Sequence, residues 1–216
     1  MLVATPPPVP PALQEVPLGL TSVSPTSLMS PSHTSIAVRR TQLNVLAGHT
    51  SSVTGSLRDS SREGLSRRAV VLQALGRYGW GTIARAHTSS GGRFRLRFTP
   101  HTRGSRLVRV RFAGDAFDLA ARRRLGRLNV YHLAGASWYG GGGGLACGGT
   151  LTSSTLGVAN KTLPCGTRVT LRYGGRSVRV PVVDRGPYVA GREYDLTEAT
   201  KRALGFGDTG AVWATG

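Results

Sequence analysis

Two carboxylates, Asp184 and Asp195, stand eleven positions apart in this chain of 216 residues. Asp184 closes the apolar run Val180-Pro181-Val182-Val183 and opens the turn Arg185-Gly186-Pro187-Tyr188. Asp195 comes just before Leu196 and Thr197, where a helical pattern begins. Carboxyls framed by Gly, Pro and aromatic residues suit work on a carbohydrate: one group moves a proton, and aromatic faces and amides hold the ring. Tyr139, Asn160, Arg185 and Tyr188 are the candidate contacts. Plainer readings stand beside these. Asp184 could accept hydrogen bonds from its own turn, and Asp195 could complement the helix dipole. Arg185 could pair with Asp184, Asn160 could satisfy a turn, and the aromatics could be core or rim.

The surrounding elements are short strands. Arg168–Tyr173 and Arg176–Val180 alternate polar and apolar residues around Gly174-Gly175, which predicts a hairpin with a two-residue primed turn. Thr197 reads as the N-cap of a helix over 198–204, with Gly205 as its stop. Glycines 140–144 lack the Lys-Ser/Thr ending of a phosphate loop and predict a flexible loop.

Upstream, residues 1–35 are rich in Pro, Ser and Thr and predict a disordered leader. Residues 36–132 predict an all-β domain. Arg93–Phe98 and Arg106–Phe112 alternate with period two, and further strands fall at 42–45, 52–57, 70–75, 80–86 and 128–131. The stretches around Trp80–Ala84, Gly92–Arg95 and Arg109–Asp115 resemble the immunoglobulin-like or transthyretin-like repeats of bacterial surface proteins, which implies a β-sandwich.

Charge is unevenly spread. The chain has 28 Lys+Arg against 10 Asp+Glu, and residues 36–132 hold 19 Arg and only 4 acids. Such a domain attracts polyanions such as nucleic acid, anionic lipid or anionic cell-wall polymers; the plainer reading is a solvated alternating face, with Arg122-Arg123-Arg124 exposed. No nucleic-acid motif accompanies the charge, so no nucleic-acid partner is expected. No metal cluster, cofactor motif or transmembrane run is evident. Neither is a signal peptide, since Met1 is followed by no basic region and apolar core. Two cysteines, Cys147 and Cys165, favour one disulfide in an exported domain; two buried thiols are the alternative.

From residue 133 onward a specific pattern emerges. Ala136-Ser137-Trp138-Tyr139-Gly140, Ala159-Asn160-Lys161-Thr162-Leu163-Pro164, Val183-Asp184-Arg185-Gly186-Pro187-Tyr188 and Asp195-Leu196-Thr197 with Ala203-Leu204-Gly205 follow one another over about eighty residues. Together they resemble the rare lipoprotein A (RlpA) double-psi β-barrel family, related to expansins. The resemblance implies a six-stranded barrel with a short helix over 133–216, peptidoglycan as the polymer, and lytic transglycosylase action. Asp184 matches the family's D-R-G-P aspartate. Asp195 matches the aspartate of its D-L-S stretch, with Thr197 in place of Ser, and is the implied general acid/base.

Two positions depart from the family pattern. Asn160 stands where proteobacterial members usually have His. Cys147-Gly148-Gly149-Thr150 fills the region where they carry a Glu. In the resemblance's frame, a Cys147–Cys165 bridge would staple that loop to the Leu163-Pro164 turn. The sequence thus implies an extracellular or wall-associated enzyme that cuts glycan strands to 1,6-anhydromuramic ends. Its alternative is an expansin-like module that binds or loosens the wall without cleavage.

Overall fold

The computed structural model describes residues 30–216, and all but the last six residues of the leader expected over 1–35 lie outside them. The protein is almost entirely β. The first strands are β1 (Ser35–Thr41), β2 (Asn44–Leu46), β3 (Ser51–Arg58), β4 (Ala69–Gly76), β5 (Gly79–His87), β6 (Arg93–Phe98) and β7 (Gly104–Phe112). Then come β8 (Ala121–Tyr139), β9 (Val158–Ala159), β10 (Arg168–Tyr173), β11 (Arg176–Asp184) and β12 (Tyr194–Thr197). Helix α1 (Glu198–Leu204) and β13 (Gly210–Ala214) end the chain. No helix among the described residues is long and apolar enough to cross a membrane.

Residues 30–35 are not part of a featureless leader. Ser32 bridges to Asp118, the Thr34 hydroxyl donates to Leu119 O at 2.7 Å, and Ser35 opens β1. Period-two alternation explains the two sheets that follow. Phe94, Leu96 and Phe98 of β6 point one way with Val53 and Leu57 of β3. Val70 and Leu72 of β4, and Val108, Val110 and Phe112 of β7, point back at them. The three-stranded sheet β1-β3-β6 and the sheet β5-β4-β7-β8 therefore bury one shared core.

The strand expected at Leu128–Tyr131 is part of a 19-residue strand, β8. Its first part pairs antiparallel with β7 and its middle runs parallel to β2. Its last part pairs with β13 and β12. Leu128 and Val130 lie in the first core, whereas Ala134 and Ala136 lie in a second one, with Val158, Val180, Val182, Tyr194, Leu196 and Val212. One continuous strand thus hydrogen-bonds into both cores. At the junction Tyr131 is buried. Its hydroxyl donates to Asn44 Oδ1 at 2.9 Å, and its ring lies 5.7 Å from Trp213.

Around the second core the pairings run β8-β13-β10-β11-β9-β12, and β12 pairs with β8 again, so the sheet closes on itself. The predicted hairpin of β10 and β11 forms. Gly174 and Gly175 both take positive φ, 52° and 85°, which is what a primed turn requires. Helix α1 spans the predicted residues and ends at Gly205, whose φ of 63° lets its N–H return to Lys201 and Arg202 carbonyls. Thr197 holds the N-cap position but does not cap. Its hydroxyl donates to Gly157 O at 3.1 Å and meets the Thr200 hydroxyl at 2.9 Å. A tertiary bond to β9's approach has replaced the local one. Gly157 is forced there: a Cβ would stand 2.4 Å from Val183 Cγ2.

Candidate active site

Four strands of the closed sheet place the two carboxylates. β12 runs parallel to β8, with Tyr194 opposite Ala136, Asp195 opposite Ser137, Leu196 opposite Trp138 and Thr197 opposite Tyr139. Tyr194 and Leu196 are buried in the second core, so alternation turns Asp195 to the outer face, beside Ser137. On its other side β12 pairs with β9, which sets Asp195 opposite Ala159.

Asp184 reaches the same face by an irregularity. In the β11–β9 pairing Val182 stands opposite Val158, but Asp184 stands opposite Ala159, two residues against one. Val182 faces the core, and plain alternation would send Asp184 inward after it. The extra residue re-aims it outward. Asp184 and Asp195 therefore flank Ala159 from opposite sides, two strand spacings or about 10 Å apart along the backbone.

Each carboxylate has its own partners. The Ser137 hydroxyl donates to Asp195 Oδ1. Asp184 Oδ1 accepts two backbone N–H groups, from Ala146 at 2.9 Å and Arg185 at 2.8 Å. Its carbonyl accepts from Asn160 N at 3.1 Å. Tyr139, two residues after Ser137 on the same strand face, closes the group. Its hydroxyl oxygen is buried without a hydrogen-bond partner. Burial first, and then the negative charge of Asp184 and of Asp195, push this phenol above the ordinary tyrosine range. Asp184 acts on it chiefly through charge, since no well-aligned hydrogen bond joins them. Tyr139 thus stays a neutral potential donor between two carboxylates.

Two expected contact residues are spent elsewhere. Arg185 makes no ion pair with Asp184. Its Nη1 donates to Asn160 O at 3.1 Å and Leu163 O at 2.9 Å, and its Nη2 approaches Cys165 Sγ at 3.1 Å. Three acceptors from one turn hold the fork better than a neighbour whose carboxylate already binds two amides. Asn160 is 3% exposed. Its Oδ1 accepts Thr162 N and Leu163 N at 3.1 and 2.8 Å, and its Nδ2 donates to Glu193 O at 3.1 Å. It organises the turn after β9, so the turn-satisfying alternative describes it. Tyr188, by contrast, is 81% exposed on the turn that follows Asp184. Trp138 faces the other way, donating to Asp208 at 2.9 Å with Lys201 Nζ 3.7 Å above its ring.

The expected disulfide joins Cys147 and Cys165, with Cα atoms 5.5 Å apart. It tethers the loop whose Ala146 N–H holds Asp184. That loop is further tied by a Gly144–Thr150 bridge and by Leu151 N to Gly143 O at 2.8 Å. Ser137 and the Ala146 amide escaped the sequence reading. Ser137 had one usable signal: it sits two before Tyr139 in a strand pattern, hence on the same face. Nothing local announces its pairing with Asp195, 58 positions away.

A family model described as lytic transglycolase matches residues 133–213. An endolytic peptidoglycan transglycosylase RlpA of Pseudomonas aeruginosa is 42% identical over 89 residues, covering 38% of this chain and 26% of that protein. Its counterpart in Neisseria meningitidis is 40% identical over 108 residues, covering 46% of this chain and 45% of that protein. The chain thus spans less than half the length of these curated relatives. Among solved structures, the Streptomyces papain inhibitor is similar at 21% identity and a TM-score of 0.33, over 39% of this chain and 92% of that one. The part of this chain that closes around the second core is thus the part that matches the lytic transglycolase family model, and RlpA proteins are among the proteins it is similar to.

Proposed function

We propose that this protein is an endolytic lytic transglycosylase of peptidoglycan, working outside the cytoplasm at the cell wall. In this reading residues 133–216 are a six-stranded double-psi β-barrel that carries the site. Residues 36–132 are an immunoglobulin-like or transthyretin-like sandwich that carries it to its polymer. The observation that bears most weight is the shared register: Asp184 and Asp195 both stand opposite Ala159, on a face that also holds Ser137 and Tyr139. A disulfide beside that face suits an oxidising compartment.

Asp195 is the acid. Its proton goes to the bridging oxygen between muramic acid and the next sugar, and the C1–O bond breaks. The carboxylate so formed takes the proton of the muramic C6 hydroxyl, whose oxygen bonds to C1. A 1,6-anhydro ring closes and no water is consumed. One carboxyl serves both steps, which fits a site whose second carboxylate is already committed to two amides. Ser137, bound to Oδ1, orients Asp195 and leaves its other oxygen for the glycan. Asp184 fixes the loop and turn around the groove. Tyr188 offers an open aromatic face for a sugar ring, and Asn160 and Arg185 act as positioning residues for the turn beneath.

One observation favours a second reading, a barrel that binds or loosens wall glycan without cutting it. Within the loop 141–150 and the turn 160–165, which border Asp184, no residue supplies a second ionisable acid. Digestion of peptide-stripped sacculi decides between the two. Soluble fragments with 1,6-anhydromuramic ends, seen by mass spectrometry and lost in Asp195→Asn, are expected. Binding with no such product from the wild type, or equal release by Asp195→Asn, would leave the binding module.

A further inference from the structure

The outer face of the sheet β5-β4-β7-β8 carries a ladder of arginines that no acid answers. Across the four strands one row reads Arg85, Val71, Arg111, Arg122. The next reads Thr82, Gln73, Arg109, Arg124. Arg111 thus stands directly opposite Arg122, and Arg109 opposite Arg124. Like charges in directly opposed positions destabilise a sheet, so these two pairings cost the fold, although Arg109 also donates to Gln73 Oε1 at 2.9 Å. The four acids of residues 36–132 all lie in loops beyond these strands. Asp115 and Asp118 are taken by Arg68 at 2.9 Å each, and Asp59 is held in the Glu63 turn. Arg85, Arg111, Arg122 and Arg124 are exposed. Partial burial and the charges of Arg111, Arg122 and Arg124 hold the Arg109 guanidinium below its ordinary range, so these groups sense one another.

The strip does not stop at the first core. Arg127 follows on β8, opposite Leu107; burial first, and then the charges of Arg127 and Arg168, hold the Arg179 guanidinium on β11 below its ordinary range. Alternate residues on a strand are about 7 Å apart, so the strip presents cations at regular intervals along an extended path. It leads from the sandwich onto the closed sheet.

We propose that this strip is a docking surface for an extended polyol-phosphate polymer of the kind linked to wall glycan. The choice of polymer rests on the reading that the C-terminal domain works on that glycan. Two features speak against nucleic acid. Single-strand binders interleave cations with bare aromatic faces on which bases stack. Here Trp80, which stands beside the two rows, lies under the Arg109 guanidinium at 4.1 Å. Nor do residues 30–132 hold an α-helix that could enter a major groove. A flat, charged, base-blind face fits a repeating phosphodiester chain without bases.

The experiment measures binding of purified poly(glycerol phosphate) to the full chain across a range of salt. The logarithm of the affinity should fall linearly with the logarithm of salt concentration. The quadruple variant R109Q/R111Q/R122Q/R124Q should bind more than about ten-fold more weakly at about 0.1 M salt, with a shallower slope. Its melting temperature should hold or rise, because opposed like charges have gone. The matching Arg→Lys variant keeps the charge and should bind within a few-fold of the wild type. Unchanged affinity in the Gln variant overturns the proposal, as does tighter binding of a single-stranded DNA oligonucleotide of equal charge. Release of anhydromuramic ends from polymer-free sacculi should be the same in wild type and Gln variant. If polymer binding follows the arginines but neither protein releases such ends, the docking surface stands and cleavage alone falls.

Discussion

β8 serves two regions built on opposite principles. Its N-terminal part sits among exposed arginines on a face that repels itself, set by one antiparallel pairing with β7 that a single bulge interrupts. Its C-terminal part carries Ser137 and Tyr139 into a group of buried or half-buried polar atoms. That group exists only because parallel and antiparallel pairings and one register shift converge on Ala159. Charge in the first region is abundant and unpaired; in the second it is scarce, and each carboxylate has a partner. The first arrangement suits a surface that waits for an external counter-charge, the second a site that needs its groups held before substrate arrives.

The sharpest way to break this division is chemical. Asp195→Asn removes the carboxyl through which both proposed proton transfers run and leaves an isosteric acceptor for Ser137. Release of anhydromuramic ends should drop by roughly 10²–10⁴-fold, the usual contribution of a positioned general acid, while polymer binding by the arginine strip stays as it was. Mass spectrometry of sacculus digests and circular dichroism of the same samples check both halves. A variant that keeps more than a tenth of the activity would mean that the acid lies elsewhere.

Stability tests whether the shared strand makes the two regions one cooperative unit. Leu72 and Leu196 are both fully buried, one in each core. Leu72→Ala and Leu196→Ala should each cost about 2–5 kcal/mol. Because β8 hydrogen-bonds into both cores, denaturant unfolding should remain a single transition in each variant. If either variant splits the curve in two, β8 is a hinge and not a common beam.

The disulfide should act on one side of that comparison only. It closes a loop of 18 residues of sequence separation, for which loop-closure entropy predicts about 3 kcal/mol of stabilisation. Replacing both cysteines by Ser should lower the global stability by about that amount. It should also free the Ala146 amide from Asp184, so glycan cleavage should fall while the arginine strip binds as before. Hydrogen exchange at the amides of 145–150 gives the local readout. Unchanged protection there would mean that the loop is held by its own backbone bonds.

The same division explains what was legible in the sequence. In residues 36–132 most strands announce themselves, because each needs only its own alternation, as in Arg93–Phe98. Around the second core the hairpin at Gly174-Gly175 and the stop at Gly205 were equally readable, since both are local backbone demands. What could not be read was pairing at long range. Thr197 looks like a cap because capping is local, yet its hydroxyl goes to Gly157, forty positions away. Arg185 looks like a partner for Asp184 because they are adjacent, yet its fork fits the carbonyls of a turn more than twenty positions upstream. Ser137 is locally marked only as sharing a strand face with Tyr139, and its meeting with Asp195 follows only from a parallel pairing.

The smallest effect expected separates two tyrosines that share one property. Tyr139 and Tyr194 each bury a hydroxyl without a partner, and burial is the main cause that pushes both phenols above the ordinary range. A raised phenol means that the folded chain holds its proton longer than the unfolded chain does. Stability from this source is complete below the unfolded value near pH 10 and is lost as pH climbs above it. Either Tyr→Phe change should flatten that alkaline loss in melting curves taken between about pH 8 and 11. At neutral pH each should change stability by only about 0–1 kcal/mol, because an orphan hydroxyl contributes little. The two should part in function. Tyr194 faces the closed core beside Leu196 and Ala136, so Tyr194→Phe should leave cleavage intact. Tyr139 lies on the outer face between two carboxylates, so Tyr139→Phe should reduce cleavage several-fold with its melting temperature unchanged. Equal activity in the two variants would remove the Tyr139 hydroxyl from the site and leave the ring as its only contribution.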